Sequence, residues 1–511
     1  MRKILGLVLL LAAVLMSQYL VLRANKDVVV TREMVAGNPV DVYAAVGEPR
    51  GTVVAVHGFA GNKEAMRPWG YALARQGFDT YVMDQPGHGE SQQPLPPWQD
   101  PDNTALGENV RAVVDELIAT GRAQPGKIAL IGHSMGASAV LQAATGDSRV
   151  RATVAISGVG TAPDPANRPA NLLMLAAQLD PAMIREWVRQ AAARAGGGDG
   201  QMGVLYGDFA AGTAWEADLV PARGHLTILY DVTVVARAAH WIHSSFGSGA
   251  AAADAQMPVS PWTFGGLAAG VTALVLTGGL VAVKRRSRWQ MAGPRIGLGT
   301  ATIALAVAGL AAALACVYLR IPGLRVATVD YLVPYFLVMT AVLAILRVLW
   351  PADFGFSLWE EQSALSGIGR GVAVFLVYLI AIGTIIHFNF SRYILTGSRI
   401  LPALLLAVSL WIYLLHEEGL KRAVASTSGK WAWPVTGLLA KAILVATWLG
   451  AGLLPNPPVY LILILPVAAG VMVLAELVSV VFGRWNLPPA AAATFSALVV
   501  AWSAGSLLPI V

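Results

Sequence analysis

The feature that most restricts how this chain can fold is the succession of long apolar segments in its C-terminal half. Eight of them, at 262–284, 296–319, 327–349, 368–388, 399–416, 432–454, 458–482 and 487–510, are long enough to cross a bilayer as helices. Only 13% of the 511 residues are charged, against about 25% in soluble domains. Those charges crowd the stretch from about Asn25 to Phe246. The chain therefore reads as one soluble domain and one all-α polytopic membrane domain, the latter over 262–511.

Met1-Arg2-Lys3 and the apolar run Ile4 to Leu22 resemble an export signal. No small-residue cleavage site follows, so residues 1–24 are expected to remain as a signal anchor with its basic end in the cytoplasm. A small-residue linker at 248–261 separates the soluble part from the spans. Lys284, Arg285, Arg286, Arg288 and Arg295 share the first inter-span loop, and Lys421, Arg422 and Lys430 the fifth. Placing these basic loops in the cytoplasm puts the soluble domain on the extracytoplasmic side, the same side that Arg2 and Lys3 imply. The formal net charge of +6 is thus explained by membrane orientation, and no nucleic-acid partner is expected. Cys316 is the sole cysteine, which excludes an intrachain disulfide and a thiolate metal cluster.

Between residues 28 and 247 short β-branched runs alternate with helical stretches. Thr52–Val56, Thr80–Asp84, Lys127–Ile131, Ala152–Ser157 and Asn171–Ala176 read as strands. Residues 63–76, 109–120, 181–194 and 232–245 read as helices, with a glycine-rich loop at Gly196-Gly197-Gly198. That alternation predicts an α/β fold, a mostly parallel sheet with helices on both faces.

One pentapeptide carries chemistry. Gly132-His133-Ser134-Met135-Gly136 follows the apolar strand Ile128–Ile131 and precedes the helix-forming run Ala137–Gln142. This is the setting in which a G-x-S-x-G turn lifts a serine hydroxyl out of a sheet, beside the positive end of a helix. Two further segments end earlier strands: Val56-His57-Gly58-Phe59-Ala60-Gly61 and Asp84-Gln85-Pro86-Gly87-His88-Gly89-Glu90-Ser91. Together the three segments resemble the α/β-hydrolase superfamily, most closely its monoacylglycerol-lipase and serine-peptidase-like branch. The resemblance covers roughly 28–247. It implies an oxyanion hole formed by the backbone N–H groups of Phe59 and Met135, around a nucleophile elbow of Gly132, His133, Ser134 and Gly136. His57, His88, His133 and Asp84 read instead as loop-stabilising side chains.

A serine needs a base to take its proton, and in this superfamily the acid and the base follow the nucleophile in chain order. Asp180, just beyond the expected strand Asn171–Ala176, and His225, in the loop before the last helix, resemble the family's acid and base. Asp208 and Asp218 are rival acids, and His240 and His243 rival bases that share a helical stretch. No H-E-x-x-H or clustered His/carboxylate spacing suggests a metal, and no cofactor is expected. The link between Ser157 and Asn171 leaves little room for a helical cap.

The expected activity is that of a membrane-anchored serine esterase or lipase-like hydrolase, with an acyl ester or lipid as substrate and membrane lipids as surroundings. Two alternatives stand beside it. One is a transporter or assembly protein whose hydrolase-like domain only binds a ligand; the other is an acyltransferase or peptidase. Within the spans, Lys441 and Glu476 lie at similar depth, about 10 Å at the helical rise, and suggest an ion pair that serves as a structural clamp or a proton path. Arg347, His387 and Glu417, near span edges, are expected to reach the interface.

Overall fold

The structure, a computed structural model, describes residues 2–97, 104–248, 260–281, 296–351, 364–485 and 487–511. Most of the 248–261 linker and the basic loop with Lys284, Arg285, Arg286, Arg288 and Arg295 lie outside the described residues, and with them the orientation drawn from that loop. The chain forms two compact units. One comprises Leu15–Gly266, Ile385–Arg392 and Leu507–Val511; the other comprises Met1–Val14, Leu267–Thr384 and Tyr393–Ser506.

The first unit is built on eight strands: β1 (Val30–Val35), β2 (Asn38–Tyr43), β3 (Gly51–Val56), β4 (Phe78–Met83), β5 (Ile128–His133), β6 (Val150–Ile156), β7 (Leu172–Ala177) and β8 (Trp215–Val220). Their order is β1-β2-β4-β3-β5-β6-β7-β8. From β4 to β8 all pairs are parallel, while β1 and β2 join antiparallel at one edge. β5 and β7 are buried along their whole length, as continuous apolar strands covered on both faces should be. In chain order, helix α1 (Arg2–Ala24) precedes the strands and helix α3 (Thr104–Ala119) lies between β4 and β5, and alternate strand residues feed two cores. Val53, Ala55, Ala129, Ile131, Leu173 and Leu175 pack with α2 (Arg67–Arg75) and α6 (Val232–Phe246). Leu172, Met174 and Ala176 pack with α4 (Met135–Ala144) and α5 (Ala182–Ala195).

Two local features depart from the sequence reading. The β1–β2 hairpin was not anticipated; its two-residue turn, Ala36-Gly37, has positive φ at both positions, the geometry that suits the twist of paired strands. The expected helix at 63–76 is divided into a 3₁₀ turn at Lys63–Met66 and α2. Pro68, in the first turn of α2, supplies no N–H and favours a new helix start there.

Among the described residues nine helices are long and apolar enough to cross a membrane, the first at Arg2–Ala24 and the last at Pro489–Leu507. The helix Ile400–Ser428 runs well beyond the end expected at residue 416. That extension places Glu417 inside the helix, with only 1% of its surface exposed. It does not reach the interface as expected, because Lys441 pairs with it.

Candidate active site

Three strand ends bring the candidate side chains together. β5 stops at His133 and α4 begins at Met135, so Ser134 alone makes the turn, with φ 54° and ψ −119°. A non-glycine residue in that region is strained, and such strain persists where the surroundings enforce it. The neighbouring glycines do so by close approach. A Cβ on Gly132 would lie 2.1 Å from the Gly136 carbonyl oxygen, and one on Gly136 would lie 2.5 Å from the carbonyl oxygens of Val56 and His57. Gly58 packs as closely, its Cβ position being 2.9 Å from that of Ser134. The His57-Gly58-Phe59 loop therefore lies against the elbow.

Asp180 stands just past the end of β7, and its side chain is fully shielded from solvent. Its Oδ2 accepts hydrogen bonds from Ser157 Oγ at 2.6 Å and from the Ala177 amide at 2.7 Å. Its Oδ1 lies 2.6 Å from His225 Nδ1. Burial works against its charge, but the hydrogen bonds from His225 and Ser157 outweigh burial and hold the carboxyl below its ordinary value.

His225 follows β8 in the loop that leads to the 3₁₀ turn Thr227–Tyr230 and α6. Its Nε2 lies 3.0 Å from Ser134 Oγ. The imidazole is 32% exposed, so this end of the hydrogen-bonded series is open to solvent while Asp180 is not. With Nδ1–H donated to Asp180, the neutral ring presents Nε2 to the serine as an acceptor.

His133, His57 and His88 are buried braces. His133 Nε2 donates to the carbonyl of His225 at 2.9 Å, and the two rings lie 4.8 Å apart. Burial and the neighbouring His225 push the His133 imidazole down to about 3, so it remains neutral. His57 donates from Nδ1 to the Gly58 carbonyl and accepts from the Gln85 amide at Nε2. His88 repeats the arrangement between the Pro86 carbonyl and the Ala60 amide. Each ring ties the two loops that follow β3 and β4.

The rival residues sit elsewhere. Asp218 pairs with Arg237 at 2.8 Å, and Asp208 accepts from the Ala211 amide within a turn. His240 is exposed on α6, and His243 packs 4.6 Å from Phe78. No group of three or more His, Cys, Asp or Glu that could hold a metal occurs among the described residues.

Sequence reasoning overlooked two features that frame the site. Ser157 was seen only as a strand end, although a serine at the edge of β6 beside the acid-bearing β7 offered a cue. Lys63, 1% exposed, joins Asp84 at 3.0 Å and Glu90 at 2.5 Å, and Arg392 reaches the same Glu90 at 2.7 Å. That second link spans 302 positions of chain and has no local signature.

The family described as serine aminopeptidase, S33, matches residues 47–195. No curated protein matches the chain. Among solved structures, TT1662 from Thermus thermophilus is 21% identical, covering 42% of this chain and 98% of its own, with TM-score 0.32. An esterase/lipase from an uncultured bacterium is 16% identical, covering 43% and 86%, with TM-score 0.31. A hormone-sensitive lipase from a metagenome library is 16% identical, covering 43% and 84%, with TM-score 0.32. The first unit has the α/β-hydrolase fold.

Proposed function

We propose that this chain is a membrane-anchored serine hydrolase that cleaves acyl esters, with Ser134 as nucleophile, His225 as base and Asp180 as orienting acid. The observation that carries the reading is the continuous relay through His225, 3.0 Å from Ser134 Oγ and 2.6 Å from Asp180 Oδ1. His225 takes the serine proton as Oγ attacks the acyl carbonyl, and Asp180 steadies the imidazolium that results. The N–H groups of Phe59 and Met135 receive the oxyanion. Met135 opens α4, where leading N–H groups lack acceptors within the helix. His225 then protonates the departing alkoxide, and water clears the acyl-enzyme by the same route.

An ester with an apolar acyl chain fits the surroundings. Leu179, Met183 and Leu226, beside Asp180 and His225 in sequence, are 71%, 69% and 56% exposed, and an acyl chain is the kind of ligand that would cover such surface. In this reading residues 1–24 anchor the chain, 28–247 form the hydrolase domain, 248–261 the linker and 262–511 the membrane domain, with the catalytic domain on the extracytoplasmic side among membrane lipids. The match to serine aminopeptidases favours a second reading, cleavage of a peptide amide by the same three residues. Parallel assays with medium-chain acyl esters and with aminoacyl anilides separate the two. Ester turnover abolished by Ser134→Ala supports the proposal, and turnover restricted to anilides replaces it with the peptidase.

A further inference from the structure

The membrane-helix unit contains a group of charged side chains that anchoring does not require. Lys421 and Lys441 face three carboxylates, Glu417, Glu418 and Glu476, and every one of the five is less than 5% exposed. Lys421 Nζ lies 2.8 Å from Glu418, 2.7 Å from Glu476 and 2.9 Å from Ser479 Oγ. Lys441 pairs with Glu417 and stands 3.5 Å from Glu476. The residues come from the helices Ile400–Ser428, Ala432–Ala451 and Leu465–Arg484, so three separate elements converge on one point.

The charges do not balance. Three carboxylates meet two ammonium groups, and a net charge held in an apolar interior is costly enough that it is normally neutralised. Glu418 receives Lys421 and Ser479, and Glu476 receives both lysines. Glu417 pairs with Lys441 and has the Tyr413 hydroxyl beside it, yet its Oε2 makes no hydrogen bond although the residue is almost wholly buried; Glu476 Oε1, 2.7 Å from the Lys421 ammonium, likewise makes none. A small cavity, with room for on the order of one water molecule, is lined by all three glutamates together with Lys441, Ser479 and Ser496. The unsatisfied oxygens and the cavity are independent of the charge count, and both point to a missing positive species of minimal size.

The other ionisable groups on the packed helices are committed elsewhere or stand further out. His416 Nδ1 is held by the Ile412 carbonyl, and Tyr335 bonds Thr447. Tyr413, buried one turn before Glu417, is the exception and sets its hydroxyl against that carboxylate as a neutral neighbour. Arg422, partly exposed, stacks 5.2 Å over Trp433, and Arg347 is partly exposed on the neighbouring helix Val329–Leu349.

We infer that this cavity is a proton-binding site within the membrane-helix unit, holding one exchangeable proton shared among Glu417, Glu418 and Glu476. The membrane unit then does more than tether an enzyme. It holds a titratable site of the kind that proton-driven movements use, independent of the chemistry at Ser134.

Infrared spectroscopy of the full chain in lipid nanodiscs tests this, with fluorophosphonate labelling of Ser134 as the check that each variant is folded. Wild type should show one carboxylic-acid C=O band that shifts in D₂O and is lost in Glu417→Gln, Glu418→Gln or Glu476→Gln, because each variant restores two carboxylates to two ammonium groups. Lys441→Met should add a second such band. If one variant fails to fold, the remaining three carry the test. Bands that stay unchanged in the folded variants would overturn the inference, and would mean that Arg422 supplies the third positive charge.

Discussion

The hydroxyl of Ser157 donates a 2.6 Å hydrogen bond to Oδ2 of Asp180, opposite the oxygen that faces His225. Ser157 is fully buried and adopts φ 49°, so it is held in a conformation that a serine would not choose unaided. Its bond leaves Asp180 one favoured orientation and helps keep that carboxyl ionised. Ser157→Ala should lower the rate of serine acylation about tenfold, the worth of one charge-assisted hydrogen bond. Asp180→Asn should lower it by about 10³ to 10⁴, since the amide favours the wrong imidazole tautomer. Labelling rates with a fluorophosphonate measure both, and equal losses in the two variants would contradict separate roles.

Gly136 has no room for a side chain, its Cβ position lying 2.5 Å from two carbonyl oxygens of the preceding strand and loop. These are backbone atoms and cannot swing aside. Gly136→Ala should therefore push α4 off β3 and abolish labelling. Gly121→Ala serves as a control, because nothing lies within 4 Å of its Cβ position; its positive φ should cost about 1 kcal/mol and leave labelling intact.

The strand–elbow–helix around Ser134 was legible because its residues are consecutive. Asp180 and His225 were read ahead of Asp208, Asp218, His240 and His243 because chain order and strand placement restrict where acid and base can follow, whereas their 2.6 Å approach to one another depends on the pairing of β7 with β8. The β1–β2 hairpin escaped because Ala36-Gly37 is a weaker turn signal than Asn-Gly, and Pro39 argues against a strand interior. Glu417 was misjudged because its span was ended too early. A helix that continues past a charged residue cannot be told from one that ends there unless the partner, here Lys441, is known.

His133 gives the enzyme unit a defined acid sensitivity. In the unfolded chain its imidazole protonates near 6.5, whereas in the folded protein it resists until about 3. Between those values unfolding takes up a proton. The contribution is therefore fully present above pH 6.5 and is lost as pH falls, by up to about 1.4 kcal/mol per pH unit. His57, also buried and lowered, acts with the same sign. Heating wild type and His133→Gln at pH 7 and pH 5, then measuring residual labelling, should show the smaller pH dependence in the variant. An equal dependence would assign the acid sensitivity elsewhere.

Lys63 is the buried lysine among the carboxylates of Asp84, Glu64 and Glu90, with Arg392 also reaching Glu64 and Glu90. Its removal leaves Asp84 and Glu64 buried without it, which should destabilise the unit by about 3 to 5 kcal/mol. Lys63→Met should thus lower the temperature at which labelling is lost, and adding Glu90→Gln should recover part of that loss. A double variant no better than the single one would show that Glu90 is not part of the balance.

The central claim is that Ser134 is an activated nucleophile, and covalent labelling tests it most directly. Full-length protein in lipid nanodiscs, treated with a fluorophosphonate and analysed by mass spectrometry, should take up one adduct on Ser134. Ser134→Ala should take up none, and His225→Ala should react far more slowly. Folded wild-type protein that remains unlabelled, or carries its adduct on another residue, would contradict the account and leave the hydrolase fold as a ligand-binding domain.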